Sequence, residues 1–219
     1  MTATDTPPSA PAAFPARLQV DYPEQLNRVT TAFRLILVIP IAIVIGVLTA
    51  GATRTVYDDA GHAVSTTSGG IGTGLFLATL LMILFRKRYP RWWFDFALEL
   101  ARFGTRIAAY VALLTDIYPS TDEEQTVHLD LDYPDAEHDL NRWLPLVKWL
   151  LAIPHLVILG VLSVAAFFAI VIAWFAILFT GRYPRGLFDF VVGVGRWWVR
   201  VEAYAVLLVT DRYPPFSLS

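Results

Sequence analysis

Arginine recurs in this sequence at positions that suit phosphate binding. The arginines concerned are Arg88, Arg91, Arg102, Arg106, Arg182, Arg185, Arg196 and Arg200. A guanidinium group donates two parallel hydrogen bonds to a phosphate, and anionic lipid headgroups supply phosphates beside apolar segments. We therefore predict that these arginines bind lipid or a partner protein. The simpler alternative is that they orient the protein in a membrane and form helix pairs four residues apart, Arg91 with Asp95 and Arg185 with Asp189.

A lysine and a histidine interrupt the longest apolar run of the chain. Lys148 and His155 are seven residues apart, so they share one face of a helix. Ionisable groups inside a membrane span indicate a proton or ion path. The alternative is a packed polar contact between helices. The sequence predicts an intramembrane polar site here and leaves both interpretations open.

Other kinds of chemistry find little support in the sequence. The chain has no cysteine and a net charge of −2, which argues against thiolate sites and against a nucleic-acid partner. His128, Asp130 and Asp132 alternate along a predicted strand, and a solvated polar face accounts for them better than a metal site does. No catalytic constellation is recognisable. We predict a protein that is not an enzyme and uses no metal and no cofactor.

Composition indicates a membrane protein, because 56% of the residues are hydrophobic and the mean hydropathy is +0.53. Three long apolar runs cover residues 35–50, 71–85 and 143–179. A membrane span needs about 20 residues. The last run is long enough for two spans, which we predict to be joined by a short turn.

Two parts of the chain repeat each other. Arg-Tyr-Pro-Arg occurs at 88–91 and 182–185, Phe-Asp-Phe at 94–96 and 188–190, and Thr-Asp-x-Tyr-Pro at 115–119 and 210–214. Repetition at this level indicates duplicated structural units. The sequence thus divides into a disordered tail (1–16), a first membrane module (17–119), a linker (120–126) and a second membrane module (127–216).

The three repeated motifs resemble the bacterial membrane family known as domain of unknown function 4389, in two tandem copies. The resemblance covers nearly all of the chain after the tail. It implies the membrane architecture and brings no assigned activity.

The predicted fold is an all-α integral membrane protein with four transmembrane helices in two tandem hairpins. Each hairpin precedes an amphipathic helix, since polar residues at 91, 95, 99, 102 and 106 fall in one sector. We expect these helices at the membrane interface, with spanning as the alternative. Alternating residues at 17–21 and 127–132 predict a short cytoplasmic β-strand pair around a pseudo-twofold axis. The basic flanks predict the bacterial cytoplasmic membrane, with both termini cytoplasmic.

The function predicted from these features is that of a non-enzymatic scaffold or accessory subunit. We expect it to bind anionic lipid headgroups and either a membrane-protein partner or further copies of itself. The alternative is a small transporter or channel component with a polar path near His155.

Overall fold

The computed structural model describes residues 14–49, 53–57, 63–67, 70–120 and 125–219. Most of the predicted tail and most of the predicted linker lie outside these residues. The helices are α1 (Arg28–Ala32), α2 (Arg34–Leu37), α3 (Ile39–Thr49), α4 (Ile71–Leu81), α5 (Arg91–Val111), α6 (Pro145–Thr180) and α7 (Arg185–Ala205). A π-helical turn over Met82–Arg86 continues α4. The strands are β1 (Ala16–Val20), β2 (Thr53–Tyr57), β3 (Ala63–Thr67) and β4 (Val127–Leu131).

The prediction of four transmembrane helices is wrong. The run from 143 to 179 forms one helix of 36 residues, α6, and no hairpin. Within the described residues, α6 is the one helix long and apolar enough to cross a membrane, while Arg34–Val44 and Ile71–Arg86 are shorter apolar helices. The physical reason is that, between Pro154 and Gly181, the segment has no further proline and one glycine, Gly160, so no residue there forces a turn. Gly181 ends α6 in a left-handed conformation, with φ of 74°.

The continuity of α6 also changes the expected topology. A helix of this length extends about 54 Å, so Lys148 and Arg182 lie near opposite ends and do not flank the same side. The prediction that both termini are cytoplasmic rested on an even number of spans, and that argument no longer applies.

The first half of the chain has interrupted helices where the second half has α6. Helix α1 begins at the cap residue Asn27, whose side chain accepts hydrogen bonds from the backbone N–H groups of Val29 and Thr30. Between α3 and α4 two strands form an antiparallel pair, in which β2 pairs with β3 from Thr53 opposite Thr67 to Tyr57 opposite Ala63. The described residues of the polar insert in the first half therefore form a pair of β-strands.

The predicted strand pair between the two halves forms as an antiparallel ladder of β1 and β4. Leu18 lies opposite Leu129 at its centre, and these are equivalent positions of the sequence repeat. The register is therefore symmetric about a pseudo-twofold axis. Ala16, Leu18 and Leu129 are buried, and the intervening Arg17 and His128 are exposed, which explains the alternation in the sequence.

Helices α5 and α7 occupy the residues predicted for the amphipathic segments. The expectation that their apolar faces rest in the membrane interface does not describe α7, because the protein itself covers that face. Helix α7 packs against α6 and β1, and α5 packs against β4. Val192, Trp197 and Ala203 of α7 and Phe94 and Tyr110 of α5 are buried in the shared core.

Candidate functional site

Two equivalent arginines attach the amphipathic helices to the strand pair. Arg102 Nε donates to the carbonyl oxygen of Leu129 at 2.9 Å, and Arg196 Nε donates to that of Leu18 at 3.1 Å. Arg102 also contacts Glu99 at 2.6 Å and Asp130 at 3.5 Å. Each guanidinium thus binds the central residue of the strand from the other half of the chain.

The next arginine of each helix holds the loop that follows it. One Nη of Arg106 donates to the carbonyl oxygen of Ser120 at 2.7 Å, and one Nη of Arg200 donates to that of Ser217 at 2.7 Å. Burial, followed by the nearby charge of Arg196, lowers the pKa of Arg200. We call Arg102, Arg106, Arg196 and Arg200 the inner arginines; in the structure they bind backbone carbonyl groups.

The arginines nearer the helix starts have a different environment. The guanidinium of Arg91 lies 4.9 Å from the ring centroid of Tyr133, and that of Arg185 lies 4.3 Å from the ring centroid of Tyr22. Each is thus stacked on a tyrosine from the opposite half, in cation–π geometry. Arg88 and Arg182, in the turns before the helices, are exposed, as are Arg91 and Arg185. We call Arg88, Arg91, Arg182 and Arg185 the outer arginines.

The two acids expected to pair with outer arginines are both exposed. Asp95 Oδ1 lies 3.8 Å from Arg91 Nε, a separation that makes a weak surface pair. Asp189 occupies the equivalent position on α7, where the Arg185 guanidinium stacks over Tyr22. The outer arginines thus keep most of their hydrogen-bonding capacity toward the surroundings.

A polar cavity of about 660 Å³ lies beside the first Arg-Tyr-Pro turn. Arg86, Lys87 and Arg88 line one part of it, and Asp135 and Glu137 line another. Lys87 Nζ donates to the carbonyl oxygen of Glu137 at 2.9 Å. The lining of the cavity thus combines three cations with two acids.

In each half, a buried ion pair joins a cation of an apolar helix, Lys148 of α6 or Arg34 of α2, to the aspartate of a Thr-Asp motif. Lys148 Nζ lies 2.7 Å from Asp211 Oδ1 and donates to the carbonyl oxygen of Thr210 at 2.7 Å. In the first half, Arg34 pairs with Asp116 and donates to the carbonyl oxygens of Thr115 and Tyr110. Lys148 and Arg34 are both almost fully buried.

Residues 143–217 match the family model described as Domain of unknown function (DUF4389). The match includes α6, α7, the Lys148–Asp211 pair and the second copies of the repeated motifs. It covers one copy, and nothing in it extends to the first half. No curated protein and no solved structure matches the chain.

His155, within the DUF4389 match, lies in an aromatic enclosure. Its ring stacks on Phe216 at a centroid distance of 4.0 Å and contacts Tyr213 at 4.7 Å. Trp197 Nε1 donates to His155 Nδ1 at 3.0 Å. Lys148 and His155 share the buried face of α6, as their spacing predicts, but each has its own partners: an acid for Lys148 and aromatic rings for His155.

The polar residues of the strands contact each other across the ladder. Arg17 binds Asp132 at 2.7 Å, and His128 Nε2 lies 3.4 Å from Asp21. Asp130 faces Arg102. Within the described residues, no group of three or more histidines and acids is arranged to hold a metal ion.

The importance of Asp116 and Asp211 was missed in the sequence. Both belong to the repeated Thr-Asp-x-Tyr-Pro motif, and each also accepts a backbone hydrogen bond, Asp116 from Asn27 and Asp211 from Asn141. The available signal was the joint repetition of a cation, an asparagine and this acid. Tyr22 and Tyr133 were missed in the same way, although both precede a repeated proline.

Proposed function

We propose that this protein is a membrane-associated, non-enzymatic scaffold or accessory subunit of the bacterial cytoplasmic membrane. The observation that carries the proposal is the surface of α6. One stripe of that helix is buried, and the rest is apolar and exposed, including Val161, Phe167 and Phe179 at 69%, 62% and 77%. Soluble proteins rarely leave so large an apolar surface in water.

The exposed apolar surface suits lipid or another membrane protein. Exposed apolar side chains of the first half, such as Leu35 of α2, Leu77 of α4 and Phe85 of the π-helical turn, add to it. Helix α6 is longer than the hydrocarbon layer of about 30 Å, so in a bilayer it would tilt or extend beyond the layer. Association with a second copy or a partner helix would cover the same face.

The outer arginines are the part of the surface that we propose binds anionic headgroups. They are exposed, and two of them lie over the rings of Tyr22 and Tyr133, which limits the entropy lost on binding a phosphate. The inner arginines bind backbone carbonyl oxygens, so we assign them to holding the fold. Arginine does not exchange its proton near neutral pH, and such a surface therefore suits binding more than acid–base chemistry.

The proposal extends to the first half as a diverged second copy of the DUF4389 module. Equivalent contacts support it: the carbonyl-binding arginines, the buried cation–Asp pairs and the stacked arginine–tyrosine pairs all recur. Each half also donates its tyrosine hydroxyl to the turn of the other, Tyr22 to the Tyr183 carbonyl and Tyr133 to the Tyr89 carbonyl. The two modules would then form one interlocked unit.

Lipid retention measured by native mass spectrometry tests this function. The full chain is purified in mild detergent from membranes that contain zwitterionic and anionic phospholipids, and the lipids that remain bound are counted. We expect preferential retention of anionic lipid. Changing the four outer arginines to Gln should abolish that preference, while changing the same four to Lys should preserve part of it, because the charge remains.

Equal retention of anionic lipid by the Gln variant and the wild type would contradict the assignment to the outer arginines. Complete extraction of the wild-type protein by high-salt washing, without detergent, would contradict membrane association through α6. The same spectra give the mass of any homo-oligomer or co-purified membrane protein.

A further inference from the structure

A cavity of about 480 Å³ separates the two equivalent helices α5 and α7. Strand β1 and helices α4 and α6 complete its walls. On the α5 side the space is kept open by the small residues Ala97, Ala101, Gly104 and Ala108. Its volume lies within the range of small-molecule sites, roughly 300–1,000 Å³.

Most of the polar groups that line this cavity are already bound within the protein. Thr79 Oγ1 accepts from Trp93 Nε1 at 2.8 Å, and the Tyr89 hydroxyl donates to the Leu207 carbonyl at 3.0 Å. Thr105 donates its hydroxyl to the Ala101 carbonyl at 2.7 Å, and Trp198 Nε1 donates to Ser163 Oγ at 3.0 Å. The walls therefore have few hydrogen bonds left to offer a ligand.

Glu202 is the exception among the lining residues. Its carboxyl group forms no hydrogen bond or ion pair with the described residues, and its side chain is exposed to the cavity. Apolar walls surround it, and this desolvation raises the pKa of Glu202. The equivalent position on α5 is Ala108, so the acid is a feature of the second half alone.

A carboxylate in an apolar cavity lacks its hydrating water, and a positive charge placed next to it compensates for that loss. Trp198 and Phe103 also line the cavity, and aromatic rings favour cations that carry apolar substituents. A free metal ion would lack ligands here, because one carboxyl group stands among apolar side chains. The walls instead match an organic cation whose apolar part fills the space.

We propose that the cavity between α5 and α7 binds a lipophilic organic cation, with Glu202 as its counter-ion. This site is separate from the outer arginines and from the anionic lipids assigned to them. The cation's apolar groups contact the Ala and Val side chains of the walls, and its charge lies against the Glu202 carboxylate.

Equilibrium binding of radiolabelled tetraphenylphosphonium to the full chain in zwitterionic nanodiscs tests the proposal. The wild type should show a saturable component above partition into empty nanodiscs. Glu202→Gln, which keeps the size and removes the charge, should weaken binding by about tenfold or more. Asp189→Asn is the matched control, since it removes an exposed acid from the same helix outside the cavity, and it should bind as the wild type does.

A second variant tests the location without touching the acid. A side chain at Gly104 would meet no atom within 4 Å of its Cβ, so Gly104→Leu should fold, fill the cavity and abolish saturable binding. Thermal unfolding confirms that each variant is folded. The proposal is overturned if the wild type shows no saturable binding, if Glu202→Gln or Gly104→Leu binds as tightly as the wild type, or if Asp189→Asn weakens binding as much as Glu202→Gln.

Discussion

The two halves of this chain share their contacts and differ in their apolar helices. Both attach a strand to the opposite amphipathic helix through an arginine, and both bury a cation against a Thr-Asp motif. Yet the second half has the continuous α6, whereas the first has α1–α3 and α4 separated by the β2–β3 strand pair. The same polar contacts near the pseudo-twofold axis thus form whether the apolar part of a half is one long helix or several short ones.

The C-terminal segment is a second difference between the halves. Phe216 stacks on His155, and the Ser217 carbonyl accepts from Arg200. At Gly193 an added Cβ would lie 2.9 Å from both the Cβ and the carbonyl oxygen of Leu218. The equivalent residue of the first half is Glu99, which pairs with Arg102. Glycine at 193 therefore leaves room for the C-terminal segment.

Breaking the buried ion pairs should have the largest effect. Lys148→Met leaves Asp211 in place without its cation, and we expect a loss of about 3–5 kcal/mol in unfolding free energy. Arg34→Met should lower the unfolding free energy less, because water reaches the remaining acid more easily: the Asp116 side chain is 26% exposed and that of Asp211 17%. Chemical unfolding in detergent micelles, followed by tryptophan fluorescence, measures both.

The control for the buried pair is the double change Lys148→Met with Asp211→Asn. Removing both charges should restore much of the loss, since no uncompensated buried charge remains. A double variant as unstable as Lys148→Met would show that the pair's charges are not the cause.

Gly193→Glu, which gives α7 the residue found at the equivalent position of α5, should have the next largest effect. The new side chain displaces Leu218 and with it the contacts of Phe216 and Ser217, at a cost of about 2 kcal/mol. Limited proteolysis should cleave the C-terminal segment faster. Gly104→Ala is the control, because its Cβ meets nothing within 4 Å, and it should be neutral or stabilising.

Substituting Arg102 and Arg196, which donate to the strand carbonyls of Leu129 and Leu18, tests whether these two equivalent contacts contribute equally to stability. We expect Arg196→Gln to cost about 1.5 kcal/mol, through loss of the hydrogen bond to Leu18. Arg102→Gln should cost slightly more, because Arg102 also contacts Glu99 and Asp130. Thermal unfolding of the two variants side by side decides this, and a cost for either below that of a surface change such as Arg142→Gln would contradict the structural role.

Removing the tyrosine hydroxyls that join the two halves should change the unfolding free energy least. Tyr22→Phe and Tyr133→Phe each remove one hydrogen bond to the opposite turn and keep the stacked ring, so each should cost about 1 kcal/mol. In the double variant the two costs should add if the contacts are independent. Unequal single costs would indicate that one turn is held mainly by other contacts.

Several features were predictable because they depend on short-range patterns. The Arg-Tyr-Pro turn predicts the start of α5 and α7, since proline suits the residue before a helix and the polar stripe follows at helical spacing. The β1–β4 pair was predictable from two alternating segments at equivalent positions. The span count failed at 143–179, because one long helix and two helices with a tight turn are equally apolar, and hydropathy does not distinguish them.

The sequence identified the arginines of the candidate site, but it did not predict which groups they contact. All eight arginines were recognised, but nothing in their spacing separates the outer ones from the inner ones, which bind backbone carbonyl oxygens. The acids that pair with Arg34 and Lys148 lie far away along the chain, and a pattern within one helix cannot identify such partners. The cavity beside Glu202 was invisible for the same reason, since α4, α5, α6, α7 and β1 all contribute to it.

By itself the sequence determined the apolar character, the repeated motifs and the positions of the amphipathic helices and the strand pair, because each depends on residues close together in the chain. The tertiary structure alone decided that α6 is continuous, that the halves interlock through Tyr22 and Tyr133, and that Glu202 faces an open cavity. These features depend on the free energy of contacts between distant segments, and such contacts leave no periodic signal in either segment.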